Sequence, residues 1–290
     1  MNTPIIAAFA RLAKEDTLPV RIIEGQKTLI SRTMHNLSYN AVNDEIVVSS
    51  PFNQAILTFR AGSSGEAAPI RYIRGPKTQI LGTDYDGNDK AFVDGDNGEI
   101  LIPVGTNTSP YESILVFDRL ANGDVAPKRV LSGPDTLIKG TRAGHAGIAI
   151  DPKRDLMVVK SAGGGPLLVF NRTASGNAKP LKAIQGPKSG IGVGGGGGGG
   201  GQIGVTPSGM IVTACAGGAI CAWSVTDTGD VPARWRIPVQ QLTNVAPSGV
   251  ALNPFHKEII VPSGARNVVQ TYYWPEVFDD AASTTNNNNN

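Results

Sequence analysis

Ile114-Leu115-Val116-Phe117, then Asn122-Gly123-Asp124, then Pro127-Lys128-Arg129-Val130-Leu131-Ser132-Gly133: the fold turns on this stretch, because the chain repeats it. An apolar run closing on an aromatic residue reads as a buried strand. The Asn-Gly-Asp cluster reads as a tight turn, and the alternating, Pro-led segment as a half-exposed strand. The aromatic strand recurs as Ile6-Ala7-Ala8-Phe9, Ile56-Leu57-Thr58-Phe59, Leu167-Leu168-Val169-Phe170, Ile220-Cys221-Ala222-Trp223 and Val269-Gln270-Thr271-Tyr272; the closing aromatics are 50, 58, 53, 53 and 49 residues apart. The Pro-led strand, Pro-x-[Arg/Lys]-x-apolar-x-Gly, recurs from Pro19, Pro69 and Pro180, and the copy from Pro232 carries Pro238 where Gly is expected. The turn recurs as Ser64-Gly65-Glu66, Ser175-Gly176-Asn177 and Thr228-Gly229-Asp230. Gly there supplies a positive φ, and the polar neighbours are expected to bond the local backbone.

A further hairpin precedes each aromatic strand. Ile148-Ala149-Ile150, Asp151-Pro152-Lys153-Arg154 and Leu156-Met157-Val158-Val159 give strand, turn, strand, with counterparts at residues 37–48, 92–102, 203–212 and 250–260. The unit therefore has four strands, A to D in chain order. Strand A is small and apolar and D carries alternating charge, a gradient that places A innermost and D at the solvent edge, where its Pro, Lys and Arg discourage edge pairing. A period near 50 residues with four strands per copy predicts an all-β propeller of four-stranded blades, five blades being preferred and six the alternative. The last A–B–C set has no D, and residues 19–25 form a D with no A–B before it. Ring closure by the N-terminal strand is the expected solution, with the strand at Ile6 left over. The domain is expected to span residues 1–278, with a low-complexity, disordered tail at 279–290 ending in five Asn.

Composition agrees: 40% hydrophobic and 17% charged residues, 36 Gly and 20 Pro favour short strands and tight turns over helices. A net charge of +2 without a basic run argues against nucleic acid. No apolar stretch reaches transmembrane length, and residues 1–9 lack the basic start and apolar core of a signal peptide. Cys215 and Cys221 flank a hairpin turn and read as two small buried thiols, a cross-hairpin disulfide being the other possibility. Residues 194–201, all Gly, read as a mobile surface loop.

The pattern [Ile/Leu]-x-Val-Phe, turn, Pro-x-[Arg/Lys]-x-apolar-x-Gly, then Gly147-Ile148-Ala149-Ile150-Asp151-Pro152, resembles bacterial NHL-repeat propellers and the wider gluconolactonase/regucalcin-like superfamily over roughly residues 5–274. The resemblance implies the fold; propellers of this style include lactonases, lyases and interaction modules without chemistry. The lactonases of that superfamily hold a divalent cation through Glu, Asn and Asp, and no motif here carries those ligands over.

Ungapped alignment of the units places His35, Asp89 and His145 before strand A, where their side chains suit a divalent metal. The loop Asp84-Tyr85-Asp86-Gly87-Asn88-Asp89 resembles the start of an EF-hand loop but has Gly95 at its twelfth position. Together with Asp94-Gly95-Asp96-Asn97-Gly98-Glu99, it reads as an ordinary turn. Tyr273 and Trp274 are adjacent in a strand, so one is expected to be exposed. The expectation is a non-catalytic binding or scaffold propeller that docks a protein or surface polymer on a loop face, in an extracytoplasmic setting. The alternative is a metal-dependent hydrolase or lyase of the lactonase-like type.

Overall fold

The structure, a computed structural model, describes residues 4–32, 34, 36–80, 90–105, 111–139, 146–161, 165–192, 202–263 and 267–279. The fold is an all-β, five-blade propeller with almost no helix. A two-stranded ribbon, β1 (Ile6–Ala8) and β2 (Arg21–Ile23), comes first. The first blade is β3 (Leu37–Asn40), β4 (Glu45–Ser50), β5 (Ala55–Arg60) and β6 (Arg71–Ile73), and the second is β7 (Phe92–Asp94), β8 (Glu99–Val104), β9 (Ser113–Asp118) and β10 (Arg129–Leu131). The third is β11 (Gly147–Asp151), β12 (Leu156–Lys160), β13 (Leu167–Asn171) and β14 (Lys182–Ile184). The fourth is β15 (Gly204–Val205), β16 (Met210–Cys215), β17 (Ala219–Ser224) and β18 (Trp235–Ile237). The fifth has three strands among the described residues, β19 (Ala251–Asn253), β20 (Glu258–Ser263) and β21 (Val268–Tyr273). Each sheet is an antiparallel meander in chain order, as predicted.

The chain divides into two compact units. The first runs through Met1–Ser109, Ser113–Val130 and Arg142–Gly144; the second comprises Pro110–Glu112, Leu131–Thr141 and His145–Asn290. In the first, the inner strands β3 and β7 are neighbours; in the second, β11, β15 and β19 are. Strand alternation then packs the first and fourth blades on both sides. Ile56 and Ile73 join Ile100, Ile102 and Phe117 of the second blade, while Leu57 and Phe59 join Ile6 and Ile23 of the ribbon. In the second unit Val158, Val169 and Ile184 pack on Ile211 and Trp223, and Val212 and Ile220 pack on Ile259 and Val261.

Three expectations change. First, in the four-stranded blades burial peaks at strands B and C, not at A: β8 and β16 are buried throughout, whereas Leu37 and Tyr39 on β3 are exposed. There B and C are flanked by strands on both sides, and A is a sheet edge. Second, closure by the N-terminal strand is not the pairing found. β2 pairs with β1, in the register Ile6↔Ile23, Ala7↔Ile22, Ala8↔Arg21. That is the C–D register of the complete blades, as in Ile56↔Ile73, Leu57↔Tyr72, Thr58↔Arg71. The extra aromatic strand therefore belongs with its own D strand as the outer half of a blade. Third, Cys215 and Cys221 form a disulfide across β16 and β17, with an S–S distance of 2.04 Å. Thr213 faces Cys221 and Cys215 faces Ala219, so the bridge runs diagonally between adjacent strands.

The turn residues act at longer range than the sequence suggests. Gln26, Lys77, Asp135 and Ser189 each donate a backbone N–H to the side chain of Glu66, Asp124, Asn177 or Asp230, 40 to 47 residues later, at 2.7–3.1 Å. Each is a cap that the next blade places on the turn following a D strand. The motif Gly makes room for it: Gly25, Gly75, Gly133 and Gly186 have φ of 104–136°, and a Cβ at any of them would overlap the capping side chain. Parallel bridges Ile23↔Gly65, Ile73↔Gly123, Leu131↔Gly176 and Ile184↔Gly229 complete the clasp. Pro238 replaces Gly in the fourth blade, where the chain enters the helix Val239–Thr243; among the described residues the fifth blade has no D strand, and so no C–D turn to supply a cap.

Candidate functional site: a loop platform on the first blade

His35, Asp89 and His145 lie outside the described residues. Leu37↔Val48, Ala91 beside Phe92↔Leu101, and Ile148↔Val159 are equivalent positions, so His35 and Asp89 each precede the first equivalent residue by two and His145 by three. The described residue after His35 is Asn36, buried and opposite Ser49 at the end of the β3–β4 ladder. Asn36 Oδ1 and Ser49 Oγ are both buried with no hydrogen-bond partner among the described residues. The loop at 84–89 also lies outside the described residues. Asp94, by contrast, is buried and accepts the Asn97 N–H at 3.2 Å, an ordinary Asx turn.

The best-defined surface feature at the loop end of the blades was not singled out in the sequence. After β2 the chain turns through Gln26–Thr28, where Thr28 Oγ1 donates to the Gly25 carbonyl at 2.6 Å and accepts the Ile30 N–H at 3.3 Å. Leu29 is thereby held at φ +59°, with its side chain outward and its carbonyl inward. That carbonyl accepts Ser50 Oγ at 2.7 Å and Asn53 Nδ2 at 2.9 Å. Asn53 Nδ2 also donates to Ser50 Oγ at 3.1 Å, and the Phe52 N–H donates to Ser31 Oγ at 3.2 Å. The B–C turn Pro51–Asn53 is thus fastened to the segment entering the blade. On this base Phe52 is 55% and Leu29 45% exposed, and the Arg32 guanidinium lies 5.7 Å from the Phe52 ring centroid, a cation–π arrangement. The available signal was Phe52 in a turn otherwise built from Pro and Asn, and Leu29 between the capping Thr28 and Ile30.

Groups with displaced pKa values sit elsewhere, on turns and on the strands β3 and β21. Burial alone would raise the Asp227 carboxyl, but the Arg234 guanidinium at 2.6 Å and the Ser224 N–H outweigh it and hold the group below the ordinary Asp range. The Asp44 carboxylate accepting the Tyr39 hydroxyl raises that phenol. Both are local turn braces. Tyr273 is 71% exposed and Trp274 7%, the opposite facing expected of neighbours in a strand.

No family model and no curated protein matches the chain. Among solved structures, it is similar to the C-terminal WD40 domain of Sif2, at 11% identity and a TM-score of 0.48, over 82% of this chain and 57% of that one. It is also similar to the WD40 β-propeller domain of Doa1, at 10% identity and a TM-score of 0.47, over 84% of this chain and 80% of that one. The chain thus spans little more than half of the first of these.

Proposed function

We infer that the protein is a non-catalytic binding propeller that docks a partner protein on the loop platform of its first blade. The observation that carries this is the exposure of Phe52 and Leu29 on a base locked by four hydrogen bonds. An aromatic anchor whose backbone is already fixed loses little freedom on binding, and buried aromatic anchors dominate interface energies. The NHL-type repeat style supports a scaffold role, and the Cys215–Cys221 disulfide supports an oxidising, extracytoplasmic setting. The test is cross-linking of the full chain in extracts of its own source, comparing wild type with Phe52→Ser, Leu29→Asn and a control at Phe255, 89% exposed on the β19–β20 turn. A partner that survives the Phe255 change and is lost with Phe52→Ser supports the reading. A partner set unchanged by Phe52→Ser and Leu29→Asn refutes it.

A second reading places a divalent cation at His35, Asp89 and His145. Its support is the pair of unpartnered buried oxygens, Asn36 Oδ1 and Ser49 Oγ, in the residue next to His35 and across from it. Metal analysis of the purified chain before and after His35→Ala tests it; a metal content of zero, or one unchanged by the substitution, removes it.

A further inference from the structure

The turn beside the Cys215–Cys221 bridge is where four segments of the second unit meet. It is Ala216-Gly217-Gly218, between β16 and β17, closed by the pair Cys215↔Ala219. Lys160 Nζ of β12 donates to the Ala214 carbonyl at 2.8 Å and to Thr213 Oγ1 at 3.1 Å. The Ala216 N–H donates at 3.2 Å to the carbonyl of Gly190, on the segment that leads into the blade. Arg236 of β18 donates to the Ala216 carbonyl at 3.1 Å, and the Gln240 N–H of the helix Val239–Thr243 donates to the Gly218 carbonyl at 2.9 Å.

The first blade holds the equivalent junction differently. Equating Ile211↔Trp223 with Ile46↔Phe59 puts Cys215 in the place of Ser50, and the motif run from Gly186 puts Gly190 in the place of Leu29. There Ser50 Oγ donates to the Leu29 carbonyl at 2.7 Å, and Asn53 Nδ2 donates to Ser50 Oγ at 3.1 Å, so side chains brace the turn. In the fourth blade the sulfur at that position is spent on the bridge, and the Gly190 carbonyl is met by the main chain of the turn instead. The turn has no Pro and no side chain longer than a methyl. Its glycines are required: a Cβ at Gly217 would crowd the Arg236 guanidinium, and one at Gly218 would overlap the Gln240 side chain. Both stand at positive φ, +73° and +63°. Two adjacent glycines lose the most backbone freedom on ordering, so this turn is intrinsically loose. The bridge closes the hairpin across it and limits that freedom.

We propose that the bridge is a redox latch for the loop end of the fourth blade. Oxidised, it fixes the turn and, through the turn, the Gly186–Gly190 segment and the helix Val239–Thr243. With both thiols free, the turn opens and those two segments are released together, while β12 and β13 stay as they are. A disulfide-bearing oxidant closes the latch. One Cys thiolate attacks a sulfur of the oxidant and expels the other as a thiolate, and the second Cys thiolate then displaces the remaining half. One S–S bond breaks and one forms, two electrons pass to the oxidant, and the two Cys protons leave on its thiols. Cys215 is 4% and Cys221 2% exposed, so exchange in either direction waits on opening of the turn. The latch therefore closes as the blade assembles in an oxidising compartment and is shielded afterwards. It is separate from the loop platform of the first blade and does not depend on it.

Hydrogen exchange read by mass spectrometry tests this on the full chain, oxidised and then held in excess dithiothreitol, with thiols counted by iodoacetamide labelling in denaturant. On reduction, the amides of Gly190, Ala216 and residues 240–244 should exchange about tenfold faster or more, as loss of a closed six-residue loop implies. The amides of β12 and β13 should not change. Cys215→Ala/Cys221→Ala should show the fast pattern with or without dithiothreitol, and it supplies the open state if the shielded bridge resists the dithiol; if that variant does not fold, the wild-type comparison decides. Three results overturn the proposal: exchange in the named segments unchanged in the open state, which would mean that hydrogen bonds alone hold the turn; acceleration spread evenly over the second unit, which would make the bridge a general staple; or two free thiols in the chain purified from an oxidising medium.

Discussion

Replacing Gly186 by Ala perturbs the clasp between the third and fourth blades at one atom. Gly186 has φ +136°, a region reserved almost entirely for glycine, and forcing another residue there costs about 1–3 kcal/mol. The new Cβ would also stand 2.6 Å from Asp230 Oδ1 and 2.8 Å from Asp230 Cβ, so the carboxylate must leave. Its bond to the Ser189 N–H, 2.9 Å long, goes with it; loss of a comparable cap costs about 1 kcal/mol. The expected total is about 2–4 kcal/mol. Gly229→Ala is the control. Gly229 lies in the same clasp at φ +80°, but nothing lies within 4 Å of an added Cβ, leaving only the left-handed penalty of about 1–2 kcal/mol. Urea denaturation followed by tryptophan fluorescence reads both, because Trp223, Trp235 and Trp274 all belong to the second unit. The double variant Gly186→Ala/Asp230→Ala should be less destabilised than the sum of the singles by about 1 kcal/mol, since the first change already removes the cap. Equal costs for Gly186→Ala and Gly229→Ala, or strict additivity in the cycle, would show that the close approach of the two blades contributes nothing.

Other outcomes follow from the same structure. Glu45, nearly buried between Arg71 at 2.6 Å and Arg119 of the next blade at 2.9 Å, leaves two guanidinium groups facing each other when changed to Ala; a loss of about 3 kcal/mol is expected by circular dichroism in urea, against well under 1 for Glu66→Gln. Converting Cys215 and Cys221 together to Ala opens a six-residue loop and should cost about 2 kcal/mol, with no further effect of reductant on the double variant. The Asp227 pKa is lower folded than its ordinary 3.8, so its stabilisation is fully present above that value and fades as pH falls through the folded pKa. The stability gap between wild type and Asp227→Asn should therefore be constant near neutrality and close on acidification, and a gap that widened in acid would contradict the pairing with Arg234.

The propeller was legible because its determinants are periodic and local. Strand C of every copy closes on an aromatic residue, and Phe59, Phe117, Phe170 and Trp223 are all fully buried. The Pro-led strand and its Gly were equally plain. What the sequence concealed was distance. Glu66, Asp124, Asn177 and Asp230 look like ordinary turn formers, yet their bonds go to a turn 40 to 47 residues earlier. The continuation of the motif, Gly-x-x-[Thr/Ser]-x-Ile at residues 25–30, 75–80, 133–138 and 186–191, was there to be read. Its signal is neither helical nor strand-like, because the hydroxyl folds back on the Gly carbonyl and breaks the period. The A-to-D gradient misled for a different reason: small residues at an edge strand look like core residues in composition. The platform of Leu29 and Phe52 has no repeat to reveal it, since it depends on two loops meeting through Ser31, Ser50 and Asn53.

The claim on which the rest depends is that the D strands β2, β6, β10 and β14 are each clasped by the turn of the following blade. Amide hydrogen exchange at Gly65, Gly123 and Gly229 tests it most directly. These residues stand in surface turns, yet their N–H groups donate to the carbonyls of Ile22, Tyr72 and Ala183 in the preceding D strands, each at 2.7 Å. The account predicts protection close to that of the buried B and C strands, with Gly229 losing it selectively in Asp230→Ala. Exchange of all three at the rate of free turn amides would mean that the blades are independent hairpin sheets and that the clasp does not form.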